Sequence, residues 1–216
     1  MSNVIRVGGR EVESSVAREW VRAYLNGARG QFGYPSYDGY RTNADSHRLC
    51  DGDLLAPVLL NVQVKISSFA DLCACRDELE AALRAVPVDV DLADADHAVL
   101  SSIGELFAVL DSDARPRNVL GTTLAKVVHR KRPSLVPLYD DQVRRTYQVG
   151  EQAPLPAVRG RTWAEFMALL AGSIKADLNR APEFWDEVTT LRPEDGPQVS
   201  RLRALDIVAW RLGVET

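Results

Sequence analysis

The chain has 216 residues, of which 46% are hydrophobic, and a formal net charge of −4. This length and composition can supply one sizeable buried core. No apolar run approaches the ~20 residues of a membrane span, and the first residues lack the apolar stretch of a secretory signal, so we expect a cytoplasmic protein. The three cysteines, Cys50, Cys73 and Cys75, cannot form a disulfide framework among themselves, and we expect reduced thiols.

The first half of the chain is predicted to be helical except for one long loop. A first helix begins at Ser14 or Ser15 and ends near Asn26, because apolar residues recur at helical spacing: Val16, Trp20, Val21 and Tyr24. Residues 30–50 are rich in Gly, Tyr, Asp and Ser and lack periodicity, which predicts an ordered loop. No alternating strand of useful length is expected.

Two helices are predicted after the loop. The first is capped by Asp51 or Asp53, and its apolar run at 58–60 indicates a helix buried on most sides. Ser67 or Ser68 opens the second, over about 69–86, with one apolar face: Leu72, Leu79, Leu83 and Val86.

The aspartate-rich segment at 88–95 resembles a calcium loop only superficially. Counted from Asp89, the sixth and twelfth positions of an EF-hand hold Asp94 and Ser101, where glycine and glutamate are needed. The three histidines show no metal-ligand spacing either. We therefore predict neither a metal nor a cofactor.

Helices are predicted over most of the remaining chain. One extends over about 96–110, two more lie around Lys126 and Val143, and the last three begin at Thr162, Pro182 and Ser200. Trp185 and Trp210 are expected in the core, and Asp206 is expected to pair with an arginine such as Arg203.

Charge is segregated along the chain. Residues 71–113 contain eleven acids and two bases, whereas residues 115–161 contain ten bases and three acids. This pattern fits a phosphate-bearing partner on the basic side, because Lys and Arg provide most of the affinity for nucleic acid. The alternative is that the two segments face each other or simply face water.

The segment 118–145 combines a glycine at a helix start, a basic cluster and an aspartate at the start of the next helix. The predicted helix from Thr122 to His129 follows Gly121, and the basic residues 130–132 come at its C-terminal end. Asp140 then opens the next helix, where a carboxylate suits the unpaired amide groups and the helix dipole. The plainer interpretation is that Asp140 is only an N-cap and that the basic run only complements a dipole.

Three separated blocks of sequence support a family resemblance. They are DLLAP at 53–57, KVVHRKRP at 126–133 followed by VPLYD at 136–140, and LRALDIVAW at 202–210. In these blocks the chain resembles an uncharacterised family that is associated with high-GC actinobacterial genomes. That resemblance implies no particular activity.

A second, more distant resemblance covers about 118–145. This segment is similar to the core of the helix-hairpin-helix base-excision DNA glycosylases, with Gly121 at the hairpin glycine and Asp140 at the catalytic carboxylate. Thr123 stands where strand-cutting members have a lysine nucleophile, and Lys126 comes one helical turn later. The hairpin lacks its first glycine at 118–120.

This second resemblance implies a set of site residues. Asp140 would stabilise an oxocarbenium-like sugar and orient or deprotonate a water. Ligand or phosphate contacts would come from Gly121, Thr123, Lys126, Arg130, Lys131, Arg132, Tyr139 and Arg144. An extruded base needs an aromatic pocket, and the candidates for it are Tyr34, Tyr37 and Tyr40.

The sequence thus predicts an all-α, multi-helix globular domain with a helix-hairpin-helix glycosylase-like core. It forms one domain over 1–216, with sub-lobes at 51–148 and at 1–50 plus 149–216 as a finer division. We expect it to bind DNA or a nucleotide-like ligand, with monofunctional DNA N-glycosylase activity as the candidate reaction. The alternative is a non-enzymatic helical protein that binds a protein partner or small ligand.

Overall fold

The computed structural model describes residues 3–27, 35–113 and 115–215. Across these ranges the chain is mostly helical, with ten α-helices and one two-stranded sheet. The prediction of a helical protein is confirmed at this level, and the expectation of no strand is wrong. None of the helices in these ranges is long and apolar enough to cross a membrane.

The sheet is an antiparallel hairpin near the start of the chain. Strand β1 (Val4–Val7) pairs with β2 (Arg10–Glu13), and Ile5 lies opposite Val12. Gly8 and Gly9 form the two-residue turn with φ of 60° and 82°, and glycine suits a turn that needs positive φ at both positions. We missed these strands because each has only four residues, although a Gly-Gly pair between alternating segments is a hairpin signal.

The helices account for most of the remaining described chain. The first five are α1 (Ser14–Asn26), α2 (Asp51–Leu55), α3 (Ile66–Ala74), α4 (Arg76–Ala85) and α5 (His97–Glu105). The last five are α6 (Gly121–Val128), α7 (Asp141–Gln148), α8 (Trp163–Arg180), α9 (Pro182–Thr189) and α10 (Arg201–Val214). Short 3-10 segments lie at Ala56–Leu60, Leu92–Asp94, Ala108–Leu110 and His129–Lys131.

Four predicted helix starts are confirmed by cap hydrogen bonds, whereas α1 and α3 have Glu13 and Lys65 as N-caps instead of the predicted serines. The side chains of Asp96, Asp140, Thr162 and Ser200 each accept a hydrogen bond from a backbone N–H in the first turn of α5, α7, α8 and α10. Cys50, rather than Asp51 or Asp53, is the N-cap of α2. These caps satisfy amide groups that have no partner within the helix.

Two predictions about the first half need correction. The single helix expected over 69–86 is divided into α3 and α4 at Cys75. The apolar run at 58–60 is not buried on most sides: it belongs to a 3-10 segment that contacts α6, and Leu59 and Leu60 are only half-buried. Ala56 and Pro57 are buried there, whereas Val58 is 52% exposed.

Helix α10 lies at the centre of the packing. It contacts α1, α7, α8 and α9, while α5 packs along α8. One continuous cluster of buried side chains extends from Ile5 in the hairpin to Leu212 in α10. Two charged residues of α10, Arg203 and Asp206, are therefore held largely inside the protein.

Candidate functional site

A cavity of about 150 Å³ lies where α1, α6, α10 and the start of α7 meet. Its walls combine apolar and charged side chains: Tyr24, Leu60, Asn61, Lys126, Leu138, Asp140, Arg203, Asp206, Ile207 and Trp210. Two of the predicted site residues, Lys126 and Asp140, meet here.

Asp140 uses its two carboxylate oxygens differently. Its Oδ1 accepts hydrogen bonds from the backbone N–H groups of Gln142 and Val143, at 3.0 and 3.1 Å. Its Oδ2 lies 3.6 Å from the Nζ of Lys126. The predicted N-cap is confirmed, and the same carboxylate also has an oxygen near a cation of the cavity.

Lys126 is an almost completely buried ammonium group. Burial lowers the pKa of its side chain, and the negative charges of Asp140 and Asp206 oppose that shift. The Lys126 carbonyl accepts a 2.7 Å hydrogen bond from the hydroxyl of Tyr37, which helps to fix this part of α6. Thr123, one turn earlier, is buried and does not line the cavity.

Arg203 and Asp206, which also line the cavity, form a buried ion pair, as predicted. Arg203 also binds Asp38, with 2.9 Å between Nε and Oδ1, and donates a 2.5 Å hydrogen bond to the hydroxyl of Tyr24. Burial raises the pKa of Asp206 to about 6, and the charge of Arg203 opposes this rise. A buried pair with several hydrogen bonds fixes the geometry of the wall.

The cavity can therefore hold one small ring with polar edges. A cavity of about 150 Å³ lined by apolar residues is large enough for benzene. Here Leu60, Leu138 and Ile207 supply apolar surface, while Lys126 offers N–H donors and Asp140 an acceptor. Trp210, which we expected in the core, is half-buried and lines the cavity instead.

The basic run after α6 has partners inside the protein. The Arg130 guanidinium donates to the carbonyls of Tyr37 and Tyr40 and lies over both rings, 5.3 and 5.5 Å from their centroids. The Nζ of Lys131 lies 2.9 Å from Oδ2 of the buried Asp53. These contacts connect the chain after α6 to the loop at 35–50 and to α2.

Arg132 is 1% exposed and binds the C-terminal end of α4. Its guanidinium donates to the carbonyls of Leu83 and Val86, each at 2.8 Å, and to the carbonyl of Ser46 at 2.7 Å. Arginine is well suited to such unpaired carbonyls because it complements the negative end of the helix dipole. The structure thus brings this residue to a helix end and not to the cavity.

The other predicted site residues also lie outside the cavity lining. A Cβ on Gly121 would be 2.2 Å from the ring of Trp163, and Tyr139 packs edge-to-face with that ring at 5.7 Å between centroids. Arg144 pairs with Asp141 at 2.8 Å on the surface. Among the predicted pocket tyrosines, Tyr37 is buried, Tyr40 is exposed, and Tyr34 lies outside the described residues.

Sequence reasoning missed several residues that line the cavity. Asn61 has a left-handed backbone with φ of 59°, and Tyr24 was assigned to the core face of α1. Arg203 and Asp206 were expected to pair, but not to face Asp140 and Lys126. The available signal was the presence of two charged residues within an otherwise apolar helix, since buried charges are rare without a partner or a role.

Comparisons with known proteins give one finding. A search of curated proteins and a search of solved structures each found no match to this chain. A family model described as a family of unknown function, DUF6308, matches residues 17–213. Because this match covers most of the sequence, the chain belongs to the DUF6308 family.

Proposed function

We propose that this protein binds a nucleotide-like ligand, one ring of which enters the cavity, and that Asp140 serves hydrolysis of the ligand's N-glycosidic bond. The observation that carries the proposal is the position of Asp140. Its Oδ1 is held by helix amides, and its Oδ2 lies in a cavity beside a buried ammonium group. A carboxylate fixed in this way is already oriented before a substrate binds.

The proposed reaction needs one water and one carboxylate. The water oxygen bonds to the anomeric carbon after the carbon–nitrogen bond breaks, and Asp140 accepts a proton of the water. The base leaves with the bonding electron pair and takes a proton from solvent. Before the water adds, the negative charge of Asp140 stabilises the oxocarbenium-like sugar.

The resemblance to helix-hairpin-helix glycosylases supports this assignment through the match at Asp140. It does not extend to strand cutting, because the position of the lysine nucleophile holds Thr123, which is buried outside the cavity. We therefore propose a monofunctional hydrolase.

A single nucleotide-like unit is favoured over a long duplex as the ligand. Binding to DNA depends on cations that reach many phosphates, and Lys131 and Arg132 are buried with partners inside the protein. The second candidate function is ligand binding without catalysis, which is favoured by the cap hydrogen bonds of Asp140.

The test combines binding and turnover with the Asp140→Asn variant. Nucleosides, nucleotides and single- and double-stranded oligonucleotides are titrated at low salt by calorimetry, and release of free base is followed by chromatography. Asparagine caps a helix about as well as aspartate, so this variant keeps the fold and removes the charge. We expect ligand binding to persist and base release to fall by about 100-fold or more.

Asp186→Asn, which changes an exposed aspartate on α9 that pairs with Arg201, is the control and should release base at the wild-type rate. Binding without any base release would leave the non-enzymatic candidate. Failure of every nucleoside, nucleotide and oligonucleotide to bind would eliminate both forms of the proposal.

A further inference from the structure

A second cleft, of about 550 Å³, lies between α5, α8 and the segment 152–155. Among the residues that the structure describes, it shares no lining residue with the cavity around Asp140. Its volume is in the range of about 300–1,000 Å³ that small-molecule sites occupy in proteins. Its lining is uneven, because two arginines lie near one end, whereas the remainder is mostly apolar with the polar residues His97, Ser101 and Ser173 among the apolar ones.

Arg6 from the hairpin and Arg180 from the end of α8 both line this cleft. Each is positioned by a neighbour: Arg6 donates a 2.8 Å hydrogen bond to Oε1 of Gln152, and Arg180 pairs with Asp177. A guanidinium has five N–H donors in a planar fork. One positioning bond therefore leaves each arginine able to bind an oxyanion in addition.

The carboxylate beneath these arginines is already bound on both oxygens. Asp177 is 3% exposed, and its Oδ2 accepts hydrogen bonds from the Gly8 N–H at 2.8 Å and the Tyr147 hydroxyl at 2.9 Å. Its Oδ1 is bound by Arg180. Two guanidinium groups therefore face one carboxylate that is already paired, and the end of the cleft has a net positive charge.

Gly172 keeps the middle of the cleft open. Glycine weakens a helix interior, and close packing does not require it here, because a Cβ would meet only the Cδ1 of Leu100 at 3.7 Å. At Gly104, by contrast, a Cβ would be 2.5 Å from the carbonyl oxygen of Ala164. The missing side chain at 172 thus leaves space beside Leu100 and Leu155.

We propose that this cleft binds a small organic anion, with its anionic group on Arg6 and Arg180 and its apolar body over Gly172. Arg180 lies eight residues after Gly172, a rise of about 12 Å along the helix, and this length suits a chain of about eight carbons. Both arginines also border a neighbouring cleft, but that one contains Glu13, Glu183 and Glu187, which disfavour an anion. The ligand therefore approaches from the α5 side.

The test uses octanoate and octyl phosphate as probes, with 1-octanol and inorganic phosphate as partial analogues, in calorimetric titrations of the full chain. We expect octanoate, octyl phosphate or both to bind, and both partial analogues to bind more weakly by about tenfold or more. Arg6→Gln should weaken binding of the anion by about tenfold, since it removes a charge-assisted hydrogen bond.

Gly172→Leu should abolish binding, because a leucine side chain would occupy the cleft. Leucine is a better helix former than glycine, so thermal unfolding should show that this variant is at least as stable as the wild type. Arg201→Gln, which removes an exposed arginine on α10, is the charge-matched control and should leave the affinity unchanged.

Three results would overturn the proposal. The first is that neither amphipathic anion binds at millimolar concentration. The second is that Gly172→Leu binds the anion as the wild type does. The third is that Arg201→Gln weakens binding as much as Arg6→Gln does. Binding by Asp140→Asn at the wild-type affinity is expected, because this site is independent of the proposed hydrolase.

Discussion

Asp140 shows how one side chain can carry a structural role and a candidate chemical one. Its Oδ1 binds two backbone amides of α7, and its Oδ2 lies 3.6 Å from the Nζ of Lys126 in the cavity. The two roles can be separated because asparagine retains a cap oxygen while losing the charge. Alanine loses both.

Asp140→Ala should lower the free energy of unfolding by about 1 kcal/mol, the usual cost of removing an N-cap. Asp140→Asn should stay close to the wild type, and both variants should lose base release. Urea unfolding followed by circular dichroism measures the difference. If the two variants are equally destabilised, the ion pair with Lys126, and not the cap, is the structural contribution of Asp140.

The basic residues 130–132 show why residue type alone does not assign a role. The sequence suggests a phosphate-binding cluster. In the structure, however, Arg130 binds the carbonyls of the loop at 35–50, and Arg132 binds the end of α4. A guanidinium serves equally well for a phosphate and for a cluster of carbonyls. Which of these it meets depends on segments far away in the sequence.

At the scale of elements, two helical glycines have opposite roles. Gly121 begins α6 against the face of Trp163, where a Cβ would be 2.2 Å from a ring atom. Gly172 lies inside α8 with room for a Cβ. The first glycine permits the close packing of two elements, and the second leaves a space between them.

Gly121→Ala should lower the free energy of unfolding by about 1–3 kcal/mol, because the added methyl group overpacks a fixed contact. Gly172→Ala should raise it by about 0.5–1 kcal/mol, since alanine favours the helix and restricts the unfolded chain. Thermal unfolding of both variants provides the comparison. A stabilised Gly121→Ala would show that Trp163 can move away from α6.

Across the whole molecule, buried titratable groups connect stability to pH in opposite directions. Burial raises the pKa of Asp206 to about 6 and lowers that of His129 to about 4. The raised pKa of an acid gives stability that is present below pH 4 and lost as pH rises through about 6. The lowered pKa of a histidine gives stability that is present above pH 6.5 and lost as pH falls.

Asp206→Asn should therefore gain stability relative to the wild type between pH 4 and pH 7, by up to about 3 kcal/mol. Comparing the two proteins at each pH cancels the contributions of other titrating groups to the free energy of unfolding. The exceptions are the groups that interact with Asp206: Arg203, Asp140 and Lys126. Urea unfolding across this range measures the slope.

Asp141→Asn is the control for the sign. Arg144 holds the pKa of exposed Asp141 below its usual value of 3.8, so this variant should lose stability relative to the wild type as pH rises through the acidic range up to that value, and the difference should be constant at higher pH. A flat difference for Asp206→Asn would mean that Arg203 fully offsets the burial of Asp206.

The sequence by itself determined that the chain is mostly helical and where several of its helices begin. Asp140, Thr162 and Ser200 could be identified as caps because a cap bonds to amides two or three residues away. The pairing of Arg203 with Asp206 was predictable for the same reason, since residues three apart are neighbours on a helix. The short hairpin was missed, although its turn glycines were visible.

Only the tertiary structure decided which of these local features form a site. Lys126, Asp140 and Asp206 meet because α6, α7 and α10 pack around one cavity, and no spacing in the sequence encodes that meeting. The burial of Arg132 against the end of α4 and the space beside Gly172 likewise depend on contacts between distant segments. Caps follow from bonds within one turn, whereas cavities follow from how whole helices fill space.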